Sequence, residues 1–166
     1  MKLFLDTNVV IDVIAAREPF VANSQTILSI CETGEATGSV STLTFCTISY
    51  VLRKLLPPDI MRMKLHGFRN ILEPIDLSTT LLDRAIASSI TDFEDAVQYY
   101  SAVYCGADYI ITRNVKHFPQ TGIPVLTPTG RTAGSYTLTA TDTQIKRRRT
   151  PSPPTRISSW PPYPNW

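Results

Sequence analysis

The chain places a carboxylate directly after its first short apolar run. Residues 3–5 are Leu, Phe and Leu, and Asp6, Thr7 and Asn8 follow them. The run predicts a buried strand, and the polar residues behind it predict a sheet edge followed by the start of a helix. In open α/β sheets, ligands bind outside the carboxyl ends of the strands. Metal binding is therefore the leading chemical role for Asp6.

Three further polar segments fall where the pattern predicts strand ends or helix starts. They are Ser41-Thr42-Leu43-Thr44-Phe45, Asp92-Phe93-Glu94-Asp95 and Ile110-Ile111-Thr112-Arg113-Asn114. Since such positions converge on one edge of a parallel sheet, we expect the four segments to lie together. A Mg²⁺ or Mn²⁺ ion suits this edge, because it takes oxygen ligands and keeps several waters. Such an ion can activate water and neutralise charge on a phosphodiester.

Each of these polar residues also has a purely structural interpretation. Asp6 could cap the helix behind it, and Asp92 stands where an N-cap residue would, with Asp95 three residues later. Asp12 could form a structural hydrogen bond or serve as a ligand, and Asn114 could belong to a turn. Asp6 is the hardest to explain structurally, because capping is the only such role available to it.

The elements that would position these residues alternate along the chain from residue 2 to about 127. The predicted strands cover 2–5, 37–41, 74–77, 109–112 and 124–126. The predicted helices cover 8–15, 20–31, 42–56, 59–72, 79–90 and 93–105. Strands separated by helices imply βαβ crossovers, hence an α/β fold with a short, mostly parallel sheet and helices on both faces.

Side-chain periodicity predicts the buried faces of two helices. The inward face of the helix over 93–105 should consist of Ala96, Val97, Tyr100, Val103 and Tyr104. The apolar face of the helix over 79–90 should consist of Leu82, Ala85, Ile86 and Ser89.

The three cysteines are Cys31, Cys46 and Cys105, and they form no CxxC pair. That spacing favours reduced thiols over a disulfide framework or a zinc site. Cys46 and Cys105 have apolar neighbours, so we expect both to be buried.

Charge and composition divide the chain into two parts. Residues 1–130 hold 10 Lys and Arg against 13 Asp and Glu, a charge of −3, while residues 131–166 hold 6 against 1, a charge of +5. This distribution argues against a uniformly basic nucleic-acid-binding surface. Residues 131–166 also contain 6 of the 13 prolines. We predict a domain over 1–128 and a disordered tail over 129–166, and we hypothesise that the tail is not native sequence.

The N-terminal apolar run is interrupted by Asp6 too early for a signal peptide. No apolar stretch approaches the roughly 20 residues that a membrane span needs. We therefore expect a cytoplasmic protein that does not enter the membrane.

Taken together, the polar segments resemble those of a PIN domain and, more narrowly, of the VapC-type toxins of bacterial toxin–antitoxin pairs. The resemblance is carried by Leu5-Asp6-Thr7-Asn8-Val9-Val10-Ile11-Asp12, Val40-Ser41-Thr42-Leu43-Thr44, Asp92-Phe93-Glu94-Asp95-Ala96 and Asp108-Tyr109-Ile110-Ile111-Thr112-Arg113-Asn114. Each motif alone is weak, but the four in this order are fairly specific. The resemblance spans about residues 1–128 and implies a three-layer α/β/α PIN-like fold with metal-dependent endoribonuclease activity.

The same resemblance implies roles for individual residues. Asp6 and Asp95 become the metal-binding acids, with Mg²⁺ or Mn²⁺ as the ion, and Asn114 falls at the polar position after Thr-Arg. The supporting residues are Thr7, Asn8 and Thr112. The implied partners are an RNA substrate, a cognate antitoxin and a second copy of the chain in a homodimer.

One position departs from the family pattern. PIN ribonucleases usually carry a Glu in the helix after the Ser-x-x-Thr stretch, and Thr47 stands there in this chain. Either Asp92 or Glu94 supplies the missing charge, or the protein is catalytically weak and acts as a binding partner. We expect activity, with Asp92 joining Asp6, Asp95 and Asn114 as a catalytic residue.

Phosphate contacts would fall to basic residues, each of which could equally lie on a solvated helix face. The residues predicted to contact RNA are Arg53, Lys54, Arg113 and Lys116. His66 and His117 lack metal-spaced partners, so we do not expect either to be catalytic. A dehalogenase-like phosphatase would need a second acid where Asn8 stands, and a nucleotide-binding module would need a Gly-rich turn that the chain lacks.

Overall fold

Five parallel strands form the central sheet of the computed structural model, which describes residues 1–129. The strands are β1 (Lys2–Leu5), β2 (Thr37–Ser41), β3 (Leu72–Ile75), β4 (Tyr109–Ile111) and β5 (Val125–Leu126). Their spatial order is β3-β2-β1-β4-β5, and each neighbouring pair is parallel. All five carboxyl ends therefore meet at one edge. Apart from its first residue, the predicted tail over 129–166 lies outside the described residues.

Helices cover both faces of this sheet. They are α1 (Thr7–Ile14), α2 (Val21–Glu32), α3 (Thr42–Leu52), α4 (Pro58–Ile71), α5 (Thr79–Ile86) and α6 (Phe93–Tyr104). One apolar core joins the sheet to α1 through α4, and α6 packs on the opposite face with α5 against it. The predicted α/β/α layering with a parallel sheet is confirmed. None of these helices within residues 1–129 has the length and apolar character to cross a bilayer.

The central strand β1 explains how Asp6 reaches the edge. Leu3 and Leu5 contribute to the core on the α1 side, and Phe4 contributes to the core on the other side. All three side chains are buried. A continuous apolar run forms a strand here because a central parallel strand is covered on both faces. The chain then turns at Asp6 into α1.

The strand predicted over 74–77 is shifted in the structure. β3 begins at Leu72 and ends at Ile75, with Pro74 inside it. Proline is tolerated because β3 is an edge strand, where one side needs no ladder hydrogen bonds. Leu72 pairs with Gly38, and a Cβ at that glycine would lie 2.5 Å from Leu72 Cδ2. The missing side chain at Gly38 thus allows Leu72 to enter the core.

Two predicted helix faces are partly wrong. In α6, Val103 and Tyr104 are exposed, Tyr104 by 72%, whereas Gln98 and Ser101 are fully buried. In α5, Ile86 is exposed, and the helix ends there instead of at residue 90. Polar side chains replace large apolar ones on the inward face of α6 because they find partners inside. Ser101 Oγ, for example, donates to a carbonyl of its own helix at 2.8 Å.

The prediction that Cys46 is buried is also wrong. Cys46 is exposed and Cys105 is half-buried, although both are free thiols as expected. The buried residues of α3 are Thr44, Ile48 and Leu52. Since they recur every four residues, the inward face of α3 is fixed and Cys46 falls on the opposite side.

Candidate functional site

Asp6 is a buried carboxylate at the carboxyl edge of the central strand. It occupies the N-cap position of α1 with an extended backbone (φ −67°, ψ 151°), yet its side chain makes no capping hydrogen bond. The residue is 5% exposed, and within residues 1–129 no lysine or arginine forms an ion pair with it. Helix capping therefore does not explain why a carboxylate is buried here.

Neutral side chains hold this carboxylate in place. Asn8 Nδ2 donates to Asp6 Oδ2 at 2.5 Å, and Thr112 Oγ1 donates to the same oxygen at 2.6 Å. Asn8 Oδ1 in turn accepts from the backbone N–H of Arg113 at 3.2 Å, and the backbone N–H of Asn114 donates to Thr112 Oγ1 at 3.0 Å. The predicted supporting residues Asn8 and Thr112 thus fix Asp6 against the end of β4.

The electrostatic environment of Asp6 disfavours its charged form. Burial, the largest cause, raises the pKa of Asp6 from 3.8 to about 6. The side-chain hydrogen bond from Thr112 and a hydrogen bond from the backbone of Asn8 oppose this shift, while the negative charges of Asp95 and Glu94 add to it. Asp95 and Glu94 are therefore near enough for their charge to act on Asp6.

The start of α6 carries the other acids. Asp92 is its N-cap, and Asp92 Oδ1 accepts from the backbone N–H of Asp95 at 3.1 Å, which supports the capping interpretation of Asp92. Asp95 Oδ2 lies 3.0 Å from His117 Nδ1. Burial raises the pKa of Asp95; the hydrogen bond to His117 lowers it, and the charges of Asp92 and Glu94 raise it. His117, not expected in the site, contacts it from 22 residues further along the chain.

A buried polar network behind the acids connects α1, α3 and α6. Thr7 Oγ1 lies 3.0 Å from Glu94 Oε1 and 3.1 Å from Thr44 Oγ1. Gln98 Nε2 donates to Thr7 Oγ1 and lies 3.4 Å from Thr44 Oγ1. Gln98 escaped prediction, because its only signal is a polar side chain one helical turn after Glu94 on an inward face.

The predicted RNA-contacting residues lie in different places. Lys116 is exposed in the 3-10 helix (Val115–His117) that follows β4, and the predicted catalytic residue Asn114 is exposed immediately before that helix. Arg53 and Lys54 are exposed at the far end of α3, roughly 16 Å along the helix from the sheet edge. Lys116 therefore shares a 3-10 helix with His117, which contacts Asp95, whereas Arg53 and Lys54 lie at the far end of α3.

Arg113 and Asp12 form a separate, buried ion pair. Arg113 Nε lies 3.3 Å from Asp12 Oδ2, with side-chain exposures of 23% and 0%. Ser24 Oγ donates to the same carboxylate oxygen at 3.3 Å, and the guanidinium carbon of Arg113 lies 4.4 Å from the ring centroid of Phe20. Of the two roles left open for Asp12, the structural one is supported.

The donors at the edge fit a hard divalent cation. Within residues 1–129 no group of three or more His, Cys, Asp or Glu residues could by itself hold a metal ion. Mg²⁺ and Mn²⁺ need fewer side chains, because they retain several waters. Asp6 and Asp95 are the carboxylates at this edge that would supply oxygen ligands, and neither forms an ion pair with a Lys or Arg in the described part of the chain.

A protein-family model matches most of the chain. Residues 2–116 match the family model described as "PIN domain". No curated protein matches the chain.

Solved structures give the same fold. The chain is similar to one in DNA-bound VapBC from Salmonella typhimurium (TM-score 0.58, 19% identity, covering 77% of this chain and 98% of that one). It is also similar to a chain of a toxin–antitoxin complex from Klebsiella pneumoniae (TM-score 0.57, 23% identity, 76% and 97% covered). A third similar structure is Mycobacterium tuberculosis VapC20, a Sarcin-Ricin loop cleaving toxin (TM-score 0.53, 11% identity, 65% and 86% covered).

Proposed function

Because the chain belongs to the PIN domain family, we propose that it is a metal-dependent endoribonuclease and the toxin of a toxin–antitoxin pair. The observation that carries this proposal is Asp6. A carboxylate that is buried, makes no side-chain capping hydrogen bond and has no Lys or Arg partner among residues 1–129 destabilises the fold unless it serves another purpose. Cation binding at the sheet edge is such a purpose.

Asp6 and Asp95 would hold the ion. When bound, Mg²⁺ or Mn²⁺ lowers the pKa of a coordinated water and neutralises charge on the phosphodiester. Asn8 and Thr112 keep the Asp6 carboxylate in one orientation, so little reorganisation is needed on binding. The exposed amide of Asn114 can hydrogen-bond a phosphate oxygen or a water at the same edge.

RNA would approach this edge from the side of the 3-10 helix. Lys116 is exposed there and can contact a phosphate without reading sequence. The Arg113 charge is already matched by Asp12, so Arg113 offers less to a phosphate than Lys116 does. Arg53 and Lys54 could contact only a substrate that extends along α3.

Protein partners complete the proposal. Solved neighbours include a toxin–antitoxin complex and VapBC assemblies, which supports a cognate antitoxin as a partner. Exposed apolar side chains on and after α3 and on α4 are suited to a protein interface, either with the antitoxin or in a homodimer. These side chains are Tyr50, Val51, Leu55 and Met63.

A second candidate function is a PIN-fold binding partner without catalysis. Thr47 in place of the usual acid favours it, as does the lack of a group of three His, Cys, Asp or Glu ligands in the described part of the chain. Such a protein would bind its partner but leave RNA intact.

Cleavage of a pooled RNA in Mn²⁺ or Mg²⁺ separates the two functions. Asp6→Asn and Asp95→Asn should each lower the rate by about 100-fold or more if the ion is needed for catalysis. Glu32→Gln is the matched control, because Glu32 is exposed at the end of α2, which leads to the opposite edge of the sheet. Equal cleavage by wild type and both aspartate variants, or none by wild type, would reject the nuclease proposal.

A further inference from the structure

One short segment, residues 112–117, contacts both proposed metal-binding acids. At its start, Thr112 Oγ1 donates to Asp6 Oδ2 at 2.6 Å. At its end, His117 Nδ1 lies 3.0 Å from Asp95 Oδ2. Asp6 follows β1 and Asp95 lies in the first turn of α6, so the segment supports carboxylates from two separate elements. The inference drawn from this arrangement rests on the proposed function, since it concerns the same two acids.

Hydrogen-bond chemistry fixes what the His117 ring does for Asp95. An ionised carboxylate can only accept, so His117 Nδ1 carries a proton and donates it to Asp95 Oδ2. Within residues 1–129 the Asp95 carboxylate accepts no other hydrogen bond. His117 therefore engages one oxygen of Asp95 and leaves Oδ1 open to another partner. The same proton excludes Nδ1 itself as a metal ligand.

The turn that carries His117 is anchored in the core. Val115 and Phe118, on either side of it, are buried in the same apolar cluster. Gln120 Nε2 donates to the backbone carbonyls of Val115 and Phe118, at 2.9 and 2.8 Å. Because the backbone around His117 is already held, only the rotation of its side chain has to be fixed for the contact with Asp95 to form.

A surface ion pair is the alternative interpretation of this contact. The burial of the acid argues against it, because the Asp95 side chain is only 14% exposed, although the His117 side chain is 55% exposed. Exposed pairs contribute little, since water solvates both partners well. At Asp95 water reaches the carboxylate poorly, so the donor on His117 replaces hydration that burial removes.

We propose that His117 is a positioning residue for the reaction, which holds the Asp95 carboxylate in the orientation that leaves Oδ1 free for the divalent cation. Thr112 acts on Asp6 in the same way from the start of the segment, so one stretch of backbone orients both acids. His117 acts through Asp95 and needs no contact of its own with the ion. Outer-shell partners of this kind change metal affinity or activity by about 10- to 100-fold.

Mn²⁺ affinity tests this assignment without relying on catalysis. The full chain is titrated with Mn²⁺ alone, and free ion is measured by electron paramagnetic resonance. His117→Leu removes the donor and should weaken binding by about tenfold or more, whereas His117→Asn keeps an N–H at the δ position and should weaken it by less than about threefold. His66→Leu is the matched control and should bind like wild type, because His66 is exposed and contacts Asn70 of its own helix.

The position of the ring proton gives a second readout. Long-range ¹H–¹⁵N spectra of the labelled wild type at pH 8 should show a proton on Nδ1 of His117. His66 is the internal reference, because its Nδ1 lies 3.4 Å from Asn70 Nδ2, which can only donate. His66 should therefore carry its proton on Nε2. A His117 ring with no proton on Nδ1 would overturn the proposal.

The outcomes distinguish this proposal from the nuclease proposal. His117→Leu binding Mn²⁺ as tightly as His66→Leu would overturn the role of His117, even if RNA is cleaved. Equal losses in His117→Leu and His117→Asn would also overturn it, and far-ultraviolet circular dichroism verifies that each variant is folded. Binding that is weakened in His117→Leu and recovered in His117→Asn, without RNA cleavage by wild type, would leave the His117 assignment standing and reject the nuclease. No Mn²⁺ binding by wild type would overturn both.

Discussion

Asp6 and Asp12 lie six residues apart in the same segment, but the charges around the two carboxylates have opposite signs. Both are buried, and burial raises the pKa of both carboxyls. At Asp12 the charge of Arg113 opposes the shift, whereas at Asp6 the charges of Asp95 and Glu94 add to it. Asp12 is matched by a cation of the protein, whereas Asp6 has no Lys or Arg partner among residues 1–129.

The difference teaches how to separate structural acids from functional ones. A buried acid with its own cation, such as Asp12 beside Arg113, has its charge matched within the protein, although Asp12 Oδ1 has no hydrogen-bond partner among the described residues. A buried acid held only by neutral donors, such as Asp6 beside Asn8 and Thr112, loses the hydration of its charged form without gaining a Lys or Arg partner in the described part of the chain. Perturbed pKa values of this second kind cluster at functional sites.

The largest change in the free energy of unfolding is expected when the Arg113–Asp12 ion pair is broken. Arg113→Met removes the cation with the larger effect on Asp12 and leaves only the charge of Arg17, so the free energy of unfolding should fall by about 3–5 kcal/mol in urea titrations at pH 7.5. The double variant Asp12→Leu, Arg113→Met should recover most of this loss, because no charge is then left unpaired. A loss below about 1 kcal/mol in the single variant would show that Asp12 does not depend on Arg113 and would remove the contrast with Asp6.

The next largest effect, at Asp6, is an increase in the free energy of unfolding. Since folding raises the pKa of Asp6 from 3.8 to about 6, the folded protein binds a proton that the unfolded chain releases between those values. The stabilising protonation is complete below pH 3.8 and is lost as the pH rises through about 6, so wild type is destabilised at neutral pH. Asp6→Asn should therefore be more stable than wild type by about 3 kcal/mol at pH 7.5 in EDTA.

Thermal and urea unfolding of both proteins from pH 4 to 8 measures this difference. The stability gap should widen as the pH rises through 6 and stay constant above it, and excess Mn²⁺ should narrow it by stabilising wild type alone. A gap that does not change with pH would mean that Asp6 is not destabilised by its burial.

The smallest expected effect is at Asp92, whose carboxylate accepts a hydrogen bond from the backbone N–H of Asp95. Asp92→Ala removes the cap of α6 and should lower the free energy of unfolding by about 1 kcal/mol, whereas Asp92→Asn retains the acceptor and should cost less than about 0.5 kcal/mol. Differential scanning calorimetry measures both. An equal loss in the two variants would show that Asp92 acts through its charge, which would move it from the structural to the functional group of acids.

The sequence predicted the layers, the central strand and the edge at which the polar segments meet, because each depends on local apolar runs and their order. It did not predict the Arg113–Asp12 pair or the His117–Asp95 contact, since both join residues distant in the chain. It also misplaced Val103 and Tyr104, because Gln98 and Ser101 find hydrogen-bond partners on the inward face of α6.

Asn8 connects Asp6 with the segment that carries Arg113, the partner of Asp12, and this affects which substitutions position 8 tolerates. Its amide nitrogen donates to Asp6, and its amide oxygen accepts from the backbone of Arg113. A single-nucleotide change converts an Asn codon to an Asp codon, and an aspartate here could still accept from the Arg113 backbone but would set an acceptor against the Asp6 carboxylate. The step to an Asp-x-Asp phosphatase motif would therefore cost this fold one of the hydrogen bonds that orient Asp6.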